Sequence, residues 1–166
     1  MKKKLLCLSI ILSIFFIIFS PFDQKPSSKI LKELGIDNTS TYEFSYVTET
    51  HSGFHNDGTT YYIFENLVAP NQQRFNTMDG WHTFPLNLGI ACIIYGGIVN
   101  NTYYHRYINF IPPITDGYWF FKDFQRPQNE YSTEDILKVY TEPSANFAVA
   151  IWDSEQDILY YARFDS

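Results

Sequence analysis

Polar and hydrophobic residues alternate along residues 41–50 and again along residues 59–66. A period of two over this length predicts half-buried β-strands. The residues between them, 51–58, contain two glycines and an Asn-Asp-Gly sequence, which is typical of turns. The three segments together predict a β-hairpin with a long tip.

A second hairpin is predicted at the end of the chain. Residues 146–153 and 158–164 are apolar segments joined by the polar residues 154–157. In the first of them the bulky apolar side chains occupy every second position and would share one face. Residues 117–122 predict a short aromatic strand, and the proline that ends residues 81–85 favours an extended segment there.

Helices are predicted before and between these hairpins. Residues 26–34 have one apolar face and are followed by a glycine, which predicts a short helix. Residues 70–78 begin with a proline suited to a first helical turn. Residues 86–95 are an apolar run that suits a buried helix or a buried strand, and we favour the helix.

Two weaker features complete the pattern. Ser132 and Asp135 have the spacing of a capping pair, which predicts a helical turn after Ser132. Residues 98–115 are expected to be mostly connection.

Hairpins at both ends with helices between them favour an α+β fold over a parallel α/β fold. We expect a mainly antiparallel sheet of four to five strands with helices packed on one face, preceded by one N-terminal hydrophobic helix. The expected division is an anchor or signal segment at 1–22 and a linker with a short helix at 23–40. A single extracytoplasmic α+β domain follows at 41–166.

The start of the chain predicts export. Lys2, Lys3 and Lys4 precede an uncharged apolar run, and a basic start keeps its side of such a segment in the cytoplasm. The run lacks a small-x-small cleavage site, so we favour an uncleaved membrane anchor through residues 5–22, with the domain outside. The alternative is a secreted protein released by signal cleavage.

Charge argues against nucleic acid as a partner. The three lysines belong to twelve basic residues in all, and no acidic residue precedes Asp23. The rest of the chain therefore carries nine basic and eighteen acidic residues, a net charge of −9. Such a surface repels phosphate backbones.

The predicted hairpin tip contains the one candidate site. His51, His55 and Asp57 are ligand types that hold zinc or another divalent ion. In a loop, however, their convergence is not fixed by spacing, and no helical His-Glu-x-x-His motif is present. The alternative is a structural tip, in which the glycines supply unusual backbone angles and Phe54 packs into the core.

Other candidates are weaker. His82 and His105 are isolated, Asp153 with the two acidic residues that follow it suits a solvated turn, and Cys92 suits a buried apolar position. No nucleophile elbow, Walker loop or dinucleotide fingerprint is present. The sequence therefore favours a protein that is not an enzyme and has no cofactor.

Several motifs resemble a family of small exported proteins of Gram-positive, mainly clostridial-type, bacteria. The family pattern has a His-Gly-Gly-Phe-His-Gly-Asp-Gly-like loop between two strands, and Ser52 and Asn56 stand here where it has glycines. The matching segments are Thr50–Gly58, Trp81 with Phe84–Leu86, Tyr95–Gly97, Gly117–Phe121 and Leu159–Asp165. The resemblance implies an exported one-domain α+β protein and implies no activity, cofactor or catalytic residue.

We therefore expect a membrane-anchored extracytoplasmic domain that binds a protein partner or a small ligand. The alternative is a metal-dependent hydrolase that uses His51, His55 and Asp57. The residues expected to contact a ligand are His51, Phe54, His55, Asp57, Tyr61 and Trp81.

Overall fold

The computed structural model describes residues 26–36, 43–49, 58–65 and 75–165. The strands within them are β1 (Glu43–Glu49), β2 (Gly58–Glu65), β3 (Trp81–Thr83), β4 (Gly97–Val99), β5 (Thr102–Tyr104), β6 (Gly117–Asp123), β7 (Asn146–Asp153) and β8 (Ile158–Asp165). Six of them form one antiparallel sheet in the order β1-β2-β8-β7-β6-β3, and β4 and β5 form a separate two-stranded sheet. The helices are α1 (Pro26–Glu33), α2 (Leu88–Tyr95) and α3 (Thr133–Leu137), and a 3-10 turn, Lys138–Tyr140, follows α3.

The prediction of an α+β fold with an antiparallel sheet is confirmed. Five strands have seven or eight residues, and the three-residue edge strand β3 brings the sheet to six. Both predicted hairpins are formed, since β1 pairs with β2 and β7 pairs with β8. Between them the sheet is completed by β8 pairing with β2.

The prediction that helices cover one face of the sheet is wrong, because the helices lie on both faces. Alternate residues of β6 enter two different cores: Phe120 packs with α1 residues, and Phe121 packs with residues of α2 and α3. The physical reason is visible in β7, where every residue from Phe147 to Asp153 is buried. A strand that is apolar on both sides requires a layer against each face.

Helix α1, which the sequence placed in a linker, packs within the first of these cores. Leu31 and Leu34 are fully buried there beside Phe64. The indole Nε1 of Trp81 donates a hydrogen bond to the carbonyl oxygen of Leu34 across 2.9 Å. The helix is thus attached to the sheet by both apolar packing and a buried hydrogen bond.

The ambiguous apolar run is a helix, as favoured. Asn87 caps α2 by accepting a hydrogen bond from the backbone N–H of Gly89 at 2.8 Å, and the hydroxyl of Thr133 donates to the same Asn87 oxygen at 3.0 Å. The predicted turn after Ser132 is also present as α3, with a capping box formed by Ser132 and Asp135.

The segment 98–115 contains a hairpin that the sequence analysis missed. Asn100 and Asn101 both have positive φ angles, 50° and 64°, which are typical of a two-residue hairpin turn. They join β4 to β5, and they place Ile98 opposite Tyr103. An Asn-Asn pair between Val99 and Thr102, two residues that favour strands, was the available signal.

Two predicted elements lie wholly or partly outside the described residues. The hydrophobic segment 1–22 is one, and the predicted helix 70–78 is described only from Phe75, where turns lead to Gly80. None of the helices in the described ranges is long and apolar enough to span a bilayer.

Candidate ligand-binding cleft

The predicted loop site lies outside the described residues. His51, Phe54, His55 and Asp57 belong to residues 50–57, between the end of β1 and the start of β2. The strand register fixes where those ends lie. Strand β2 begins at Gly58 opposite Asp165 of β8, and Asp165 also faces the first residue of β7. The last residue of β6 pairs at the same end of the sheet.

The structure does not bring Tyr61 and Trp81 together, since they are buried on opposite faces of the sheet. The hydroxyl of Tyr61 donates to the carbonyl oxygen of Tyr107 across 3.4 Å, and its ring centroid lies 4.5 Å from that of Phe110. Trp81 packs in the first core and bonds to Leu34. Tyr61 and Trp81 thus each pack in the hydrophobic core on their own side of the sheet.

The other residues noted from the sequence also have structural surroundings. The His82 imidazole stacks on Trp119 at 4.2 Å, and burial lowers the pKa of His82 while Glu130 opposes that change. Asp153 accepts hydrogen bonds from the backbone N–H groups of Glu155 and Gln156, so it shapes the turn between β7 and β8. Across the described ranges, no three His, Cys, Asp or Glu side chains cluster in a way that would hold a metal ion.

A row of cross-strand neighbours at the loop end of the sheet carries two cations. Thr60 pairs with Arg163, Arg163 pairs with Ala148, and Ala148 pairs with Lys122. Cross-strand partners share one face of a sheet, so Arg163 and Lys122 lie on the same face with a small alanine between them.

Both cations contact one aromatic ring. The guanidinium carbon of Arg163 lies 4.1 Å from the centroid of Phe124, and Nζ of Lys122 lies 5.1 Å from it. Cation–π contact of this kind fixes the position of a charge without neutralising it. Arg163 also makes a long contact, 3.5 Å, to the side-chain oxygen of Asn146.

Helix α1 places a carboxylate near these cations. Glu33 is half-buried, and its Oε1 accepts a hydrogen bond from the hydroxyl of Tyr161 across 3.3 Å. Burial raises the pKa of Glu33 above its usual value, and Lys122, Arg163 and the bond from Tyr161 oppose that rise. The Glu33 carboxylate is therefore partly desolvated and is also attracted by two positive charges, with desolvation the larger effect on its pKa.

Glu33 and Lys122 line one cleft of about 320 Å³. Its wall includes the turn before β3, the end of β6 and the segment that follows β6. The lining residues are Glu33, Asp79, Gly80, Phe120, Phe121, Lys122, Pro127, Gln128 and Asn129. The cleft thus joins carboxylates, an ammonium group, side-chain amides and an aromatic surface.

The charged groups of the cleft form no ion pair with one another. In residues 26–36, 43–49, 58–65 and 75–165, the ion pairs involve only Arg126 with two carboxylates and Lys138 with Asp135. Among these residues, the ammonium group of Lys122 contacts the ring of Phe124 and no carboxylate. Asp79 is exposed to solvent. Opposite charges therefore face the cleft without neutralising each other.

The segment beyond β6 is held in place by hydrogen bonds and an ion pair to the buried Asp123 and by hydrogen bonds to the half-buried Tyr131. The carboxylate of Asp123 accepts backbone hydrogen bonds from Gln125 and Arg126 and pairs with the Arg126 guanidinium at 2.8 Å. The hydroxyl of Tyr131 accepts hydrogen bonds from the backbone N–H groups of Asp123 and Gln128. These bonds position the outer wall of the cleft.

The wall formed by Asp79 and Gly80 lies close to the ring of Phe120, which forms the floor of the cleft. At Gly80, where φ is 79°, an added Cβ would lie 2.9 Å from the ring of Phe120. A side chain at this position would push into the floor of the cleft, so glycine serves both the backbone angle and the close approach.

Spacing along the sequence does not reveal this cleft, because its residues come from distant segments. Glu33, Lys122 and Arg163 are brought together by helix packing and by the register of β6, β7 and β8. One signal was available: Lys122 follows Tyr118 and Phe120 on the same face of an otherwise apolar strand.

No protein-family model matches the chain, and no curated protein or solved structure matches it.

Proposed function

We propose that this protein is an extracytoplasmic binding domain, held to the membrane by residues 5–22, which recognises a small polar ligand or a partner that presents one. Recognition uses the end of the sheet at which β1 ends and β2 begins, which is also where the cleft lies. The resemblance to exported Gram-positive proteins remains a prediction that agrees with this placement.

The observation that supports the proposal best is that Glu33 and Lys122, two opposite charges, line one cleft and form no ion pair with each other. Holding partly buried charges apart in this way costs stability, and such costs are concentrated at functional sites. A pocket with a few convergent polar groups is the usual form of a small-ligand site. A solvent-exposed pair would not support the same argument.

Thermal unfolding of the full-length protein against a collection of small polar molecules tests the proposal. A ligand at a hundred times its dissociation constant stabilises the folded state by about 2.7 kcal/mol. We expect at least one molecule in the collection to raise the midpoint of thermal unfolding, and we expect Lys122→Met to abolish that rise. Lys138→Met is the matched control, because Lys138 follows α3 on the opposite face of the sheet.

A second pair of variants tests whether the predicted loop, residues 51–58, contributes to ligand binding. His51→Ala and His55→Ala should weaken the same ligand if residues 51–58 border the site. Retention of full binding by Lys122→Met, with every ligand that stabilises the wild type, would contradict the proposed site.

A further inference from the structure

We propose that the ligand of the cleft is a small zwitterion, with its carboxylate toward Lys122 and its ammonium group toward Glu33 and Asp79. This inference rests on the proposed function, and it specifies the chemical class of the ligand.

The charge arrangement of the cleft favours a ligand with both charges. Lys122 is fixed on β6 against Phe124, and Glu33 is fixed on α1 by the hydroxyl of Tyr161. Each group has a contact of its own, and the two form no ion pair with each other. A ligand that carries both charges complements each group separately.

Ligands of a single charge fit less well. A simple anion would approach a domain whose net charge outside the first residues is −9, and it would meet Glu33 and Asp79 at the cleft. A simple cation would meet Lys122 inside the cleft, with Arg163 close behind it on the same sheet face. A zwitterion has no net charge and avoids both penalties.

Hydrogen-bonding capacity in the cleft is consistent with this class. Tyr161 occupies Oε1 of Glu33, and Oε2 has no partner within the described ranges. The amides of Gln128 and Asn129 add donors and acceptors at the outer wall. An ammonium group has three donors, which the acidic side of the cleft can accept.

The size of the cleft limits the ligand. A volume of about 320 Å³ is at the lower end of ligand pockets, which span about 300 to 1,000 Å³. A single amino acid or a dipeptide fits this limit. The ring of Phe120 offers an apolar surface for a short side chain.

Isothermal titration calorimetry on the full-length protein tests the inference. The probes are the twenty amino acids and alanyl-alanine, each also as its N-acetyl derivative and as its carboxamide. We expect at least one free zwitterion to bind, and we expect each blocked form of it to bind at least tenfold more weakly.

Variants then assign the two charges of the ligand. Lys122→Met should weaken the free zwitterion at least tenfold and should not weaken the carboxamide, a cation that no longer meets a like charge. Glu33→Gln combined with Asp79→Asn should weaken the free zwitterion and should not weaken the N-acetyl form, an anion that no longer meets two carboxylates. Lys122→Gln is a second variant that keeps a polar side chain, and circular dichroism checks that each variant folds.

The outcomes separate this inference from the proposed function. Equal binding of blocked and free forms, or no binding by any zwitterion in the set, would overturn the inference. If another ligand still binds and depends on Lys122, the binding function stands without the zwitterion. If no ligand depends on Lys122, both proposals are overturned.

Discussion

The hydroxyl of Tyr161 donates a hydrogen bond to the carboxylate of Glu33 across 3.3 Å, and the two residues are 128 positions apart in the chain. The bond joins helix α1 to strand β8 beside the cleft. Because Tyr161 is almost fully buried, the bond forms where solvent competes little for either group. The protonation of Glu33 therefore affects both the stability of the fold and the charge of the cleft.

The first prediction concerns pH. The pKa of Glu33 is raised in the folded protein, so the folded state binds more protons than the unfolded state between the ordinary glutamate value and the raised one. The free energy of unfolding should fall as pH rises through this window. Below the window Glu33 is protonated in both states, so burying its carboxyl group does not destabilise the folded protein in this way. We expect Glu33→Gln to remove this component. The measurement is the free energy of unfolding of wild type and variant from pH 4 to pH 7.

Tyr161→Phe is the companion variant. It removes a bond that lowers the pKa of Glu33, so the pH window should extend upward. It should also reduce stability by about 0.5 to 1.5 kcal/mol, the usual net value of a hydrogen bond. A difference between wild type and Glu33→Gln that does not vary with pH would contradict the assignment.

The strands that the sequence predicted best are those with a clear period of two or a strong turn. Residues 146–153 and 158–164 were predicted almost to the residue, because the polar turn between them is short and the strands on each side are strongly apolar. The prediction of helices on one face failed, because β6 and β7 are apolar on both sides. Such strands show no alternation of polar and apolar residues, so the sequence did not reveal that helices cover both faces.

The cleft could not be predicted from local spacing. Its charged residues come from α1, the turn before β3, and β6, with Arg163 of β8 behind them. Only the sheet order places these segments side by side. The sequence analysis instead selected His51, His55 and Asp57, because residues close together in the chain are the ones that spacing can detect.

A second prediction compares two buried tryptophans. Trp81 and Trp119 are each 6% exposed, and they lie on neighbouring strands. Nε1 of Trp81 donates to Leu34, whereas Nε1 of Trp119 has no partner within the described ranges. Trp81→Phe should cost about 1 to 3 kcal/mol more than Trp119→Phe, because it alone leaves a buried carbonyl oxygen unpaired. Denaturant unfolding measures both, and equal losses would contradict the prediction.

A third prediction concerns the contact between α2 and α3. An added Cβ at Gly89 would lie 2.8 Å from Cβ of Ile136 and 3.1 Å from the carbonyl oxygen of Thr133. Overpacking of this kind typically costs about 1 to 3 kcal/mol. Helix propensity alone favours alanine over glycine by about 1 kcal/mol. We expect Gly89→Ala to lower the midpoint of thermal unfolding by several degrees.

Ala91→Gly, in the same helix, is the matched control. It should also destabilise, because only propensity changes at that half-buried position. A rise in the unfolding midpoint of Gly89→Ala would show that the two helices separate at little cost.

The last prediction distinguishes binding from metal-dependent hydrolysis. His51, His55 and Asp57 belong to the predicted hairpin tip, whose glycines suit a turn, and spacing alone does not make them converge. We therefore expect zinc, calcium and manganese to leave the thermal midpoint of the full-length protein unchanged. A metal bound at a hundred times its dissociation constant would instead add about 2.7 kcal/mol, which corresponds to a rise of about 5 to 10 °C in a domain of this size. If such a rise occurred and His51→Ala removed it, the loop would be a metal site and the hydrolase alternative would become the stronger hypothesis.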